Sequence, residues 1–280
     1  MILRCGKFSL DLSRPLIMGV VNVTPDSFSD GGHHFDTGRA VEHAWRLVEE
    51  GADLLDIGGE STRPGAAPVP LEEERRRVLP VLKALAGGKV PVSVDTRKPE
   101  FMREAIAAGA DMVNDVGALA APGALEVVAA SPAAVCLMHM RGEPGTMQAN
   151  PSYRDVVREV RHYLSGRVAE AEQAGIARER IVADPGFGFG KNLDHNLALL
   201  RAFPEFEALG VALLAGLSRK AMLGKITGRE VGDRVHASVA AALIAVQNGA
   251  RIVRVHDVAA TRDALAVWSA VKGQNQTQSR

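Results

Sequence analysis

Apolar runs of five to seven residues recur along this chain at about 16–22, 53–58, 91–95, 111–115, 133–138, 180–184, 211–216 and 251–256. They are near-continuous rather than alternating, the pattern of strands buried on both faces in a parallel sheet. The stretches between them carry apolar residues at helical spacing, for example 37–50, 71–86, 99–108, 153–174 and 234–248. One echo marks the repeat. Gly51-Ala52-Asp53, Gly109-Ala110-Asp111 and Gly249-Ala250-Arg251 each follow a helical stretch and precede an apolar run, and glycine there suits a left-handed helix cap that turns into a strand. Strands alternating with helices imply an α/β protein, and eight such repeats predict closure into a single (β/α)8 TIM barrel.

Several runs end in a polar or ionisable residue: Asn22, Asp95, Asn114 with Asp115, Asp184, Ser218, and Arg254 with His256. A barrel collects its working groups in this way, at the C-terminal ends of strands drawn from the whole chain. Three other stretches complete the layout. Residues 2–14 alternate weakly and read as a small hairpin below the barrel, ahead of its first strand. Residues 234–248 are apolar on more than one face, so this helix is covered either by neighbouring helices or by a subunit interface, the reading preferred here. Residues 1–272 form one domain, and the polar end, 273–280, is expected to be a disordered tail.

Composition narrows the function. Of 280 residues, 46% are hydrophobic and 24% charged, enough for a large core and unlike a disordered chain. Thirty-three basic residues balance thirty-three acidic ones, so no global field draws the protein to nucleic acid or an anionic membrane. Eight Phe, two Trp and two Tyr are too few for a base-stacking surface. Cys5 and Cys136 lack metal-ligand spacing, and two isolated thiols fit a reducing, cytoplasmic setting. The opening residues lack the apolar core of a signal peptide, and the most apolar late stretch, 237–246, is too short to span a bilayer.

Two strand-following loops are rich in glycine, proline and polar residues: Asn22-Val23-Thr24-Pro25-Asp26-Ser27-Phe28-Ser29-Asp30-Gly31-Gly32 and Gly58-Gly59-Glu60-Ser61-Thr62-Arg63-Pro64-Gly65. Loops of this make-up on a catalytic rim are candidate lids. Gly186-Phe187-Gly188-Phe189-Gly190-Lys191 invites a phosphate-loop reading but fails it, because Asn192 stands where the serine or threonine is required. It reads instead as a tight turn beside Asp184, with Phe187 packed inward and Phe189 offering an apolar face. No serine, cysteine or lysine nucleophile with an adjacent base can be picked out, so covalent catalysis is not indicated.

With those two loops, the blocks Asp56-Ile57-Gly58, Val94-Asp95-Thr96, Asn114-Asp115-Val116, Asp184-Pro185-Gly186-Phe187-Gly188-Phe189-Gly190-Lys191, Ser218-Arg219-Lys220 and Arg254-Val255-His256-Asp257 follow one another along nearly the whole chain. In this order they closely resemble the dihydropteroate synthase family, the pterin-binding enzymes of folate synthesis. The resemblance implies condensation of 6-hydroxymethyl-7,8-dihydropterin pyrophosphate with 4-aminobenzoate, giving 7,8-dihydropteroate and pyrophosphate. It implies sulfonamides as inhibitors, Mg²⁺ as cofactor and a homodimer, with no nucleic-acid or membrane partner.

Residue by residue, the resemblance assigns catalytic roles to Lys220, Asp95 and Asp184. It assigns the pterin to Asp95, Asn114, Asp184, Lys220 and Arg254, and a carboxylate is the natural acceptor for the pterin's guanidine-like N–H edge. Pyrophosphate falls to Asn22, Arg63, Arg254 and His256, with the Asn22 oxygen able to bind Mg²⁺ that also bridges phosphate oxygens. Aminobenzoate falls to Phe28, Thr62, Pro64, Phe189 and Ala221; many relatives carry serine or arginine where this chain has Ala221, which retains only the backbone N–H. Two other readings share parts of this pattern. A pterin-binding methyltransferase barrel would not need Arg63 with Pro64 or the Arg254/His256 pair, and a non-catalytic pterin-binding paralogue would not need intact loops.

Overall fold

The computed structural model describes residues 1–23, 33–60, 68–143 and 145–273. Most of both candidate lids, including Phe28, Thr62, Arg63 and Pro64, and the tail at 274–280 lie outside the described residues.

A two-stranded antiparallel hairpin, β1 (Ile2–Cys5) and β2 (Phe8–Asp11), precedes the barrel as expected. The barrel strands are β3 (Leu16–Asn22), β4 (Leu54–Gly58), β5 (Val92–Asp95), β6 (Met112–Asp115), β7 (Ala134–Met138), β8 (Ile181–Asp184), β9 (Ala212–Ala215) and β10 (Ile252–Val255). They pair in parallel in chain order, and β10 closes the ring on β3 with Ile252 opposite Leu16. The helices that cover it are α1 (His33–Glu49), α2 (Leu71–Leu85), α3 (Pro99–Ala107), α4 (Ala124–Ala129), α5 (Val156–Gln173), α6 (Leu193–Arg201), α7 (Ala221–Thr227), α8 (Val235–Gln247) and α9 (Val258–Val271). The strands lie within two residues of the predicted runs. The predicted helix at 153–174 begins later because Asp155 caps it, accepting the Arg158 N–H at 3.0 Å.

The alternation of side chains separates two layers. Outward residues such as Ile17, Val21, Leu55, Ile57, Val92, Val94 and Val253 pack under the helices. Inward residues at the lower end, Leu16, Met18, Leu54, Met112, Cys136, Val182, Leu214 and Ile252, form an apolar plug with Leu3, Cys5 and Leu12 from the N-terminal segment. One pleat higher, the same alternation turns Asp56, Asp95, Asn114, Asp184 and Arg254 into the barrel mouth. The interior therefore changes from hydrocarbon to charge across one pleat.

The three echoing glycines, Gly51, Gly109 and Gly249, have φ of 100°, 107° and 103°. Each reverses the chain from a helix into the next strand in a conformation L side chains rarely adopt. Helix α8 is covered on the face of Ser238, Ala241, Ala242, Ala245 and Val246, whereas Ile244 is 45% exposed. Among the described residues, no helix is long and apolar enough to cross a membrane.

Candidate active site

The core of the barrel mouth is an acid–guanidinium cluster. Arg254, from the last strand, donates through Nε to Asp56 Oδ2 at 2.6 Å and through a terminal nitrogen to Asp95 Oδ2 at 3.3 Å. Asn114 Nδ2 donates to the same Asp56 oxygen at 3.0 Å, while Asp56 Oδ1 is buried with no partner among the described residues. Burial and then the Asp56 charge push the Asp95 carboxyl up to about 7, against the pull of Arg254. One cation thus bridges two acids on neighbouring strands, and its single charge does not offset both.

Asp184 ends β8 and accepts the Gly186 N–H at 2.7 Å. Burial raises its carboxyl above the usual range, opposed by Gly186 and by the charge of Lys220. The turn after it is forced. Gly186 has φ of 70°, and a Cβ there would stand 1.9 Å from the His139 carbonyl oxygen. Phe187 is buried against Phe203 with ring centroids 6.0 Å apart, the packing role expected of it. Phe189 instead packs with Val116, Met138 and Met147 at the mouth.

Lys220 Nζ lies 4.1 Å from the centre of the Phe189 ring, a cation–π contact. Burial, then the Arg254 charge, lowers its ammonium to about 8. Lys220 stands at the start of α7, followed by Ala221 as the first helical residue. The residue before it, Arg219, takes a φ of 57°, and that strained position is tied down: its N–H reaches Ser238 Oγ at 2.9 Å and its guanidinium grips Asp257 at 2.6 Å and 3.1 Å.

On the other side, the His256 backbone N–H donates to Ser218 Oγ at 3.2 Å and its ring Nδ1 lies 3.0 Å from the same hydroxyl. Burial and the Arg254 and Arg219 charges push this imidazole down to about 3. It is neutral, which leaves Nε2–H as a donor when Nδ1 accepts from Ser218. A serine beside a histidine invites a nucleophile reading, but an imidazole so reluctant to take a proton is a poor base, and the pair fixes the ring instead. Asn22 ends β3 half-buried, in register with Gly58. Among the described residues no group of three or more His, Cys, Asp or Glu is arranged to hold a metal ion.

Of the residues named from sequence, Asp95, Asn114, Asp184, Lys220, Arg254 and Phe189 meet at this mouth, and Asn22, His256 and Ala221 stand at its rim. Asp56 and His139 were given no site role in that reading, Ser218 was named only as a strand end, and the burial of Lys191 was missed. Asp56 carried a signal, a lone charge inside Leu54-Leu55-Asp56-Ile57, because a charge in a buried strand requires a partner. The second loop is anchored at its base: Lys98 donates to both Glu60 and the fully buried Glu74.

Comparison with known proteins places the chain in a family. The family described as "Pterin binding enzyme" matches residues 18–256. The dihydropteroate synthase of Neisseria meningitidis serogroup B is 55% identical over 275 residues, covering 96% of each chain. The Xanthomonas albilineans dihydropteroate synthase solved with 4-aminobenzoic acid is 57% identical, with a TM-score of 0.92 over 97% of this chain and 98% of that one. The same enzyme solved with 7,8-dihydropteroate gives a TM-score of 0.89 at 54% identity over 97% and 99%. The acids, lysine and arginine of the mouth lie on a barrel shared along its whole length with these enzymes, and the chain belongs to the dihydropteroate synthase family.

Proposed function

We propose that the mouth binds 6-hydroxymethyl-7,8-dihydropterin pyrophosphate and 4-aminobenzoate and joins them, releasing pyrophosphate. The convergence of Asp184, Asp95 and Asn114 opposite Lys220 carries this reading. A pterin offers N–H donors along one edge and a carbonyl beside them, so it needs carboxylate acceptors on one side and a cation on the other. Asp184 and Asp95 are the acceptors, Asn114 completes the edge, and Lys220 addresses the carbonyl and ring nitrogen.

Arg254, His256 and Asn22, with Arg63 from the second loop, receive the pyrophosphate. Asn22 fits Mg²⁺ through its amide oxygen, because this ion is commonly held by few protein oxygens plus substrate phosphates and water. When bound, the ion neutralises charge on the leaving group. Aminobenzoate lies over Phe189, its carboxylate toward the Ala221 N–H, with Phe28, Thr62 and Pro64 as the further residues assigned to it by resemblance. The C–O bond to pyrophosphate breaks as the electron-rich dihydropterin stabilises the developing methylene cation. The arylamine nitrogen then forms the new C–N bond and loses a proton. No residue forms a covalent intermediate, so catalysis is positioning and electrostatics.

Two further readings accompany this. The exposed Ile244 of α8 and the Val267 and Val271 side chains of α9, 67% and 81% exposed, support a homodimer across this face. Cys5 and Cys136 are free and buried, which supports a cytoplasmic enzyme. Incubation with the pterin pyrophosphate, Mg²⁺ and 4-aminobenzoate should release pyrophosphate and give dihydropteroate. Pterin binding without release would identify a non-catalytic paralogue, and methyl transfer from a methylated folate would identify the other barrel.

A further inference from the structure

Lys191 is a charged group beside the mouth to which the chemistry above gives no task. It is only 2% exposed, and no carboxylate pairs with it among the described residues. Its Nζ is surrounded by the His139 Nδ1 at 2.9 Å, the Gly186 carbonyl at 2.9 Å and the Phe189 carbonyl at 3.0 Å, with the His139 carbonyl at 3.3 Å. An ammonium has three N–H donors and no acceptor. Three donors therefore meet three close acceptors, whereas a neutral amine would turn a lone pair toward one of them; burial lowers this ammonium to about 7, opposed by the Asp184 charge, so the cage is fully charged on the acid side of neutrality. His139 must be neutral to accept at Nδ1, and burial together with the Lys191 charge holds that imidazole down at about 3.

The cage reaches the substrate side through the residues it holds. Gly186, whose carbonyl Lys191 binds, donates its own N–H to Asp184. Phe189, whose carbonyl Lys191 also binds, carries the ring under Lys220. Asp184 further feels the positive charge of Lys191 from its own loop, of Lys220 ahead of α7 and of Arg254 on β10, while Cys136 on β7 is neutral. All three cations favour the ionised carboxylate.

We propose that Lys191 is a positioning residue for the pterin: its ammonium locks the 186–189 turn so that Asp184 and Phe189 are aimed into the mouth, and its charge keeps Asp184 an ionised acceptor. The inference rests on Asp184 as the pterin acceptor, and calorimetric titration with uncharged 6-hydroxymethylpterin, beside titration with Mg²⁺ pyrophosphate, separates the two. Wild-type protein binds the pterin. Lys191→Met should bind it about tenfold or more weakly, as for loss of a charge-assisted bond, with pyrophosphate affinity within about twofold of wild type.

The pH profile gives a readout that simple support of the fold would not move. Pterin affinity falls on the acid side as Asp184 takes a proton, and without the Lys191 charge that fall should begin at higher pH. Should Lys191→Met not fold, His139→Phe carries the test: it keeps an aromatic ring and removes one acceptor, and should weaken the pterin several-fold while sparing pyrophosphate. Absence of pterin binding by the wild-type protein would overturn the pterin reading and this inference together. Wild-type binding with unchanged affinity in the variants, an equal loss of both ligands, or an unmoved acid limb would overturn the inference alone.

Discussion

At the scale of single residues, the mouth works by opposing burial with charge. Asp184 is 6% exposed and is kept as an acceptor by one backbone N–H and the neighbouring cations. Asp184→Asn should nearly abolish pterin binding, because the amide places a donor where the ligand also brings donors, and an unmatched buried group costs about 1–3 kcal/mol. Titration with a pterin checks this; unchanged affinity removes Asp184 from the site. His139 gives a second test. Its folded pKa of about 3 lies below the ordinary 6.5, so the unfolded chain binds a proton first. The stability of the neutral ring is whole above pH 6.5 and is lost as pH falls toward 3. Between pH 6.5 and 5 the loss should approach ~2 kcal/mol. His139→Asn, which retains an acceptor for Lys191, should not suffer it. Denaturation at the two pH values decides, and identical slopes would refute the assignment. Asp95, Asn114 and Arg254 were legible as polar interruptions at the ends of apolar strands. Lys191 and His139 were not, because their meaning lies in a contact across 52 positions that no local pattern announces.

At the scale of elements, the site depends on two strained connections. The turn after β8 holds Gly186 at φ of 70° with the His139 carbonyl where a Cβ would be. Gly186→Ala should cost about 1–3 kcal/mol and weaken the pterin as well. Gly166→Ala, on an open face of α5 with nothing within 4 Å of the new Cβ, should instead gain about 0.5–1 kcal/mol. Thermal unfolding of the pair separates turn strain from generic glycine replacement, and equal shifts would sink the argument. The second connection brings Lys220 to the start of α7. Lys220→Ala should lower turnover about ten- to a hundred-fold, the loss of one charge-assisted bond. Wild-type steady-state turnover would contradict that role. Sequence periodicity gave away the strands and most long helices, since each buries an apolar stripe. The short α4 and α7, six and seven residues long, offer too few turns for a period to register.

At the scale of the whole molecule, eight βα repeats favoured a closed barrel, because polar groups ended strands drawn from the whole chain, as on a barrel's C-terminal rim. The excess apolarity of 234–248 was legible, but what covers α8 was not, because periodicity within one chain does not name the neighbouring surface. Gel filtration with light scattering should report a dimer, and a monomer at micromolar concentration would remove the interface. Closure also orders events in time. Arg254 bonds to Asp56 across 198 positions and to Asp95 across 159. A chain still being synthesised carries both acids long before their cation emerges, and two buried carboxylates without it repel each other and resist early collapse. A chain ending before residue 254 therefore keeps the two acids without the cation that pairs them and without the strand that closes the ring on β3, so the mouth is completed by the last strand made.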